Sequence, residues 1–222
     1  MKFSKTDFSY DLPSELIAKY PSQQRNESKT LILDNKFTIQ SFKDTLKHFA
    51  EYDLVVLNET KVRQARILLQ KDSGGYVEIL ILQKTTKYRA VCLAKGLNRK
   101  KINQTLYALN FPVKIKIISN VSKDIEIEFD QDIDQLCTEI GKMPIPPYLG
   151  REAEEIDVVR YQTVFANDKH LGSAAAPTAS LHMDDAFLKN VEQVTQVCKI
   201  NLNVGYGTFE PLADEIIDST IK

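Results

Sequence analysis

The chain has 222 residues, 43% hydrophobic and 27% charged, with a formal net charge of −1 at pH 7. These values suit a protein of one or two domains with a sizeable core, and the near-zero charge argues against strong non-specific nucleic-acid binding. No apolar run is long enough to span a bilayer, the first residues have no apolar signal-peptide core, and Cys92, Cys137 and Cys198 form neither a CxxC nor a cluster with His48, His170 or His182. The expectation is a cytoplasmic protein with reduced thiols, no membrane contact and no metal site.

In chain order, DLPSELIAKY at 11–20 is predicted as a short helix, capped by Asp11, with Pro13 in its first turn. Thr30–Leu33 and Phe37–Ile39 are predicted as strands around a turn at Asp34-Asn35, and Phe42–Phe49 has helical spacing. LVVL at 54–57 is continuously apolar, the pattern of a strand buried on both faces in an α/β layer.

The middle changes character. Arg66–Gln70, Tyr76–Gln83, Tyr88–Ala94, Leu106–Leu109, Val113–Ile118 and Ile125–Phe129 all have strand composition, and Ser73-Gly74-Gly75 is a hairpin turn. About six strands without a helix between them predict a small antiparallel barrel or sandwich. Ile79–Lys123 carries ten basic residues and no acid, whereas 124–157 carries eleven acids against Lys142 and Arg151. That asymmetry reads either as a basic face for phosphates or as strand faces whose charges pair nearby.

Ile133–Ile140 is predicted as a helix with Gly141 as C-cap, and MPIPPY as a rigid extended connector. Residues 158–166 fit helix or strand. Asp184–Cys198 is predicted as an amphipathic helix with Phe187, Leu188, Val191, Val194 and Cys198 as its stripe, followed by a strand in which Ile200, Leu202 and Val204 face the core. Ahead of that helix runs GSAAAPTASLH at 172–182, nine of whose eleven residues are Gly, Ser, Ala, Pro or Thr, ending in one of only three histidines. It reads as a tight loop that lets a ligand approach the backbone, or as an Ala-rich connector with a surface histidine.

Six segments together resemble the S-adenosylmethionine:tRNA ribosyltransferase-isomerases of queuosine biosynthesis: DFSYDLPSELIAKYP near the start, NETKVRQARI at 58–67, GKMPIPPYLGR at 141–151, RYQTVFA at 160–166, GSAAAPTASLH at 172–182 and NVGYGTFEPL at 203–212. They occur in the family's order. The resemblance implies a mixed α/β fold, a larger α/β domain with a smaller antiparallel β-barrel domain inserted. On this chain the division falls at 1–60 for the first part of the α/β domain, 61–140 for the barrel, and 141–222 for the linker and second part.

The resemblance also implies an activity. The ribosyl part of S-adenosylmethionine is transferred to a 7-aminomethyl-7-deazaguanine base in the tRNA anticodon and isomerised to epoxyqueuosine, with release of adenine and methionine. S-adenosylmethionine is then a co-substrate, tRNA the partner, and a monomer the expected state. A titratable group must take protons from the substrates, and a histidine near neutral pKa suits that task. His182 is the expected acid-base group, with Thr178 and Ser180 beside it. Ala175, Ala176 and Pro177, with Gly205, Gly207 and Thr208, are expected around the donor. Lys61, Arg66 and Arg151 are expected at carboxylate or phosphate groups, and Lys95, Arg99, Lys100 and Lys101 at the tRNA. The chain departs from the family's usual residues at Ser180, where Gly is usual, at Lys29 and Lys61 for Arg, at Lys142 for His and at Asn203 for His. It is also expected to stop before the family's C-terminal part, which would leave an unpaired sheet edge. The alternative is a truncated, non-catalytic relative that retains at most tRNA binding.

Overall fold

The computed structural model describes residues 3–108, 111–120, 123–205 and 216–217. The strands and helices in chain order are β1 (Phe3–Ser4), β2 (Lys29–Leu33), β3 (Phe37–Ser41), α1 (Leu46–Phe49), β4 (Leu54–Asn58), β5 (Lys61–Val62), β6 (Arg66–Gln70), β7 (Tyr76–Lys84), β8 (Arg89–Lys95), β9 (Asn103–Ala108), β10 (Phe111–Ser119), β11 (Ile125–Phe129), α2 (Ile133–Ile140), β12 (Gly141–Lys142), α3 (Glu155–Arg160), β13 (Leu171–Ser173), α4 (Asp185–Val194), β14 (Gln196–Ile200) and β15 (Ile216–Ile217). No helix among the described residues is long and apolar enough to cross a membrane.

The middle strands form a six-stranded antiparallel barrel. Pairing runs β6-β7-β8-β11-β10-β9, and Gln70 opposite Tyr107 closes β9 onto β6. Alternation fixes which side chains go in. Ile125, Ile127 and Phe129 are buried, while Glu126 and Glu128 between them keep contact with solvent. Ile67, Leu69, Val77, Ile79, Leu106 and Val113 fill the same interior, and Ile133, Leu136 and Cys137 of α2 pack against it. Asp132 caps α2 by accepting from the Asp134 and Gln135 amides at 2.8 and 3.4 Å. Gly141 ends α2 in extended backbone and not as a left-handed cap. A Cβ there would collide with the carbonyl oxygens of Gln64 and Cys137, so glycine is needed for the close approach of β12 to β6.

The charge runs fold onto one another. Lys84 pairs with Asp134, Lys87 with Asp132 and Arg89 with Glu128. The basic stretch is thus partly neutralised by the acidic one that follows it. Lys95, Lys100 and Lys101 make no ion pair among the described residues.

The rest is an α/β arrangement of two parallel pairs, β4 with β14 and β5 with β13. Phe42, Leu57, Phe165, Met183, Phe187, Leu188 and Val191 form its core. Several sequence expectations fail here. Residues 11–20 form only a 3-10 turn at Ser14–Leu16; Leu16 stays 70% exposed, so no packing stabilises so short a helix. The helix predicted to reach Cys198 ends at Val194, and the strand predicted from Ile200 runs instead over Gln196–Ile200, because those residues take the register opposite Leu54–Asn58. Ile200 and Leu202 are exposed, not core. LVVL is buried on one face only, with Leu57 inside and Leu54 and Val56 outside. MPIPPY is extended as expected up to Pro146 and also packs against the core. Met143 and Ile145 are buried beside Val62, Tyr161 and Ala176.

Candidate functional site

The glycine- and alanine-rich loop leaves the end of β13. Ser173 is fully buried; its Oγ accepts from the Val204 amide at 2.6 Å, and the Ala174 amide donates to the Val204 carbonyl at 3.0 Å. The strand is therefore clamped between β5 and the segment after β14. Ala174, Ala175 and Ala176 are buried, and Thr178–Ser180 makes one 3-10 turn. Asp184 then caps α4, its Oδ1 accepting from the Phe187 amide at 2.7 Å, while Asn26 Nδ2 donates to Oδ2 at 2.6 Å. His182 is fixed two residues before this cap. Its ring lies 5.5 Å from that of Phe42, and partial burial lowers its pKa below the ordinary histidine value. At neutral pH the imidazole is uncharged, and among the described residues no hydrogen bond or ion pair occupies its nitrogens.

His182, Thr178 and Arg151 border one hollow of about 440 Å³. Its opposite wall comes from the N-terminal segment around Tyr20 and Arg25 and from the end of α3. Arg151 donates to both carboxylate oxygens of Asp157, at 2.7 and 2.8 Å, and to the carbonyls of Lys19 and Glu152 at 2.7 and 2.9 Å. Four of its roughly five N–H donors are thereby committed. The paired guanidinium holds the Asp157 carboxyl below the usual carboxylate range. The Tyr20 ring lies 4.4 Å from the Arg151 guanidinium carbon, and the Tyr20 hydroxyl donates to Glu154 at 2.7 Å. Arg25 donates to the Val159 and Arg160 carbonyls at 2.8 and 3.4 Å, which satisfies orphan carbonyls at the end of α3, and to the Leu181 carbonyl at 3.1 Å.

A second hollow of about 320 Å³ adjoins the first across Pro146, Tyr148, Tyr161 and Thr178. Ala175, Ala176, Pro177 and Val204 line it. Tyr161 is placed by its neighbour: the Gln162 side chain exchanges hydrogen bonds with the backbone of Val62, accepting at 2.9 Å and donating at 2.7 Å. Burial pushes the Tyr161 phenol up to about 12, with the Ala176 amide pulling the other way, yet the hydroxyl completes no hydrogen bond.

The structure thus gathers His182, Thr178 and Arg151 at one hollow and Ala175, Ala176 and Pro177 at its neighbour. Ser180 lines neither. Lys61 pairs with Asp168, and Arg66 lies on β6 with its Nε 4.0 Å from Glu78; both stand apart from the two hollows. Lys95 ends β8, and Arg99, Lys100 and Lys101 follow in the β8–β9 connection, away from both hollows. Asn203 accepts from Thr60 Oγ1 at 3.2 Å and does not line either hollow. Gly205 is exposed, and Gly207 and Thr208 lie outside the described residues. Sequence reasoning missed Tyr20, Arg25, Tyr148 and Tyr161. Three of them stand inside segments already singled out, around DFSYDLPSELIAKYP, GKMPIPPYLGR and RYQTVFA.

The family model for queuosine biosynthesis proteins matches residues 5–221. This chain belongs to that family. The S-adenosylmethionine:tRNA ribosyltransferase-isomerase of Acinetobacter baumannii is 41% identical over 221 residues, 97% of this chain and 62% of that protein. Namesakes from Syntrophomonas wolfei and Trichlorobacter lovleyi are 38% and 35% identical, over 61% and 64% of their lengths. The chain therefore spans somewhat under two thirds of the curated relatives it matches. A solved structure from Thermotoga maritima, titled as an S-adenosylmethionine tRNA ribosyltransferase, is 21% identical and superposes on 90% of this chain and 58% of its own with a TM-score of 0.34, a likeness too weak to argue from.

Proposed function

We propose that this chain transfers and isomerises the ribosyl group of S-adenosylmethionine onto the 7-aminomethyl-7-deazaguanine base of a tRNA anticodon, giving epoxyqueuosine-tRNA, adenine and methionine. The observation that carries the reading is the meeting of His182, Thr178 and Arg151 at one hollow, from segments about thirty residues apart, in a chain of this family. The sulfonium makes the adjoining ribose carbon acidic, and the attacking aminomethyl group must lose a proton. A neutral imidazole with free nitrogens suits either transfer. Thr178 supplies a hydroxyl beside it, Ser180 lies one turn away, and the backbone of Ala175–Pro177 faces the donor. Gly205, with Gly207 and Thr208, is assigned to the donor's far end. Arg151, largely committed to Asp157, stiffens the wall and leaves about one N–H for a substrate oxygen. Lys61 and Arg66 rank below it, since neither lines either hollow. Lys95, Arg99, Lys100 and Lys101 offer a basic loop to tRNA phosphates, with the steep salt dependence such contacts bring.

The test is adenine release from S-adenosylmethionine in the presence of tRNA carrying the modified base. Release above background is expected, and His182→Ala should lower it by about 10²–10⁴-fold, the usual scale of a lost acid-base group, without lowering Tm. No release from folded protein, with tRNA still bound and released by salt, would leave the chain as a binding relative.

A further inference from the structure

Tyr161 is only 7% exposed; the Ala176 amide lies beside its buried hydroxyl, but among the described residues the hydroxyl completes no hydrogen bond and finds no acceptor for its own proton. Buried polar groups in native proteins almost always find a partner, so an orphan on the wall of a hollow points to one supplied from outside the chain. The adjoining hollow has the cations, Lys19, Arg25, Arg151 and Arg160. Among the described residues this one has no charged side chain on its walls: proline rings, three alanines, Val204, Thr178 and two tyrosines. A charged ligand would lose its hydration there with nothing to pair against. A flat, uncharged ring with donors and acceptors on its edge meets no such penalty. Small alanine side chains leave room for its face, and the Tyr148 ring, 64% exposed, is free to stack on it.

We propose that the smaller hollow is a nucleobase subsite, with the Tyr161 hydroxyl as its hydrogen-bonding anchor and Tyr148 as its stacking face. The division of labour then follows from charge: the neutral hollow holds the base, and the cationic one holds the anionic parts of whatever the base is joined to. The phenol, pushed up to about 12, stays protonated at neutral pH and can both donate and accept. This deepens the transferase reading, on which it rests only for naming adenine as the base of the donor.

The experiment is calorimetric titration of the full chain with adenosine and, separately, with S-adenosylmethionine, for the wild type, Tyr161→Phe and Tyr148→Ala. Tyr161→Phe keeps the ring and removes the hydroxyl; Tyr148→Ala changes an exposed side chain, so it remains informative if the buried variant fails to fold. Adenosine binding is expected, weakened about tenfold in Tyr161→Phe by the lost hydrogen bond and also in Tyr148→Ala by the lost stacking. Absence of adenosine binding to the wild type, or equal binding by both variants, overturns the subsite. The two readings separate cleanly. Adenosine binding that depends on both tyrosines, without binding or turnover of S-adenosylmethionine, keeps the subsite and removes the transferase. Turnover that neither tyrosine affects keeps the transferase and removes the subsite.

Discussion

The barrel and the parallel pairs beside it differ in how far they pair their polar groups. The barrel closes on itself: β9 returns to β6, aliphatic residues fill the inside, and Arg89–Glu128, Lys87–Asp132 and Lys84–Asp134 pair the outside. Its edges are used up, which is what closure of a small sheet achieves. Around the hollows the accounting is left open. Among the described residues, the Tyr161 hydroxyl and the Arg160 Nε are buried without a completed hydrogen bond, no hydrogen bond or ion pair occupies the His182 nitrogens, and the strand pairs β4–β14 and β5–β13 contain two strands each. Two polar atoms of the barrel and its helix, Arg66 Nε and Asp134 Oδ1, are also buried without a hydrogen bond, but each has an ion-pair partner, Glu78 and Arg63, whereas the Tyr161 hydroxyl and the His182 ring have no such partner among the described residues.

The largest effect on stability is expected at the wall of the larger hollow. Arg151 and Asp157 form a buried, bidentate pair that braces the cleft wall. Asp157→Asn leaves the guanidinium facing a neutral amide, and a loss of about 3–5 kcal/mol in urea unfolding is expected for breaking a buried pair. The sign with pH follows from the direction of the shift. The Arg151 hydrogen bonds hold the Asp157 carboxyl below its usual range, so its contribution is present above about pH 4, the unfolded value, and is lost as pH falls through the lower folded value. The gap between wild type and variant should therefore shrink below about pH 4. A gap that is constant down to pH 2 would mean the pair is not the cause.

Ile127→Ala is the matching probe of the barrel. Ile127 is fully buried among Ile67, Ile79 and Val113, and truncation there is expected to cost about 2–5 kcal/mol. Adenosine affinity should stay unchanged as long as the variant is folded, because none of these residues lines the hollows. A change in affinity would couple the two regions and erase the contrast drawn between them.

What the sequence made legible follows the same divide. Arg66–Gln70, read from its composition, and Ile125–Phe129, read from its alternation, are strands with the predicted bounds, and α2 covers the predicted Ile133–Ile140. In a barrel of this size inside and outside alternate residue by residue, so local pattern carries the fold. The α/β part was harder because its apolar runs satisfy two periods at once. Val194 and Cys198 fit a helical stripe, yet Cys198 belongs to β14, where pairing with Val56 decides the matter. That choice is made by a strand some 140 residues away, which no local window contains. The site divides likewise. His182, Thr178 and Arg151 were readable as motif residues, whereas Tyr161 matters only because α3 ends against Ala176, a contact visible only after folding.

The smallest effect is the sharpest test of the α/β side. Val56 and Leu57 are neighbours on β4, and alternation sends one outward at 54% exposure and the other inward at 2%. Leu57→Ala should cost about 2–5 kcal/mol, as a core truncation does, while Val56→Ala should stay within about 0.5 kcal/mol, as exposed substitutions do. The pair shares a strand, a partner strand and nearly the same chemistry, so differences in strand propensity or unfolded-state structure largely cancel. Only the environment of the two faces remains. A cost for Val56→Ala approaching that of Leu57→Ala would mean that the outer face of β4 is covered in solution. The open character assigned to this half of the molecule would then belong to the hollows alone, and not to the sheet that carries them.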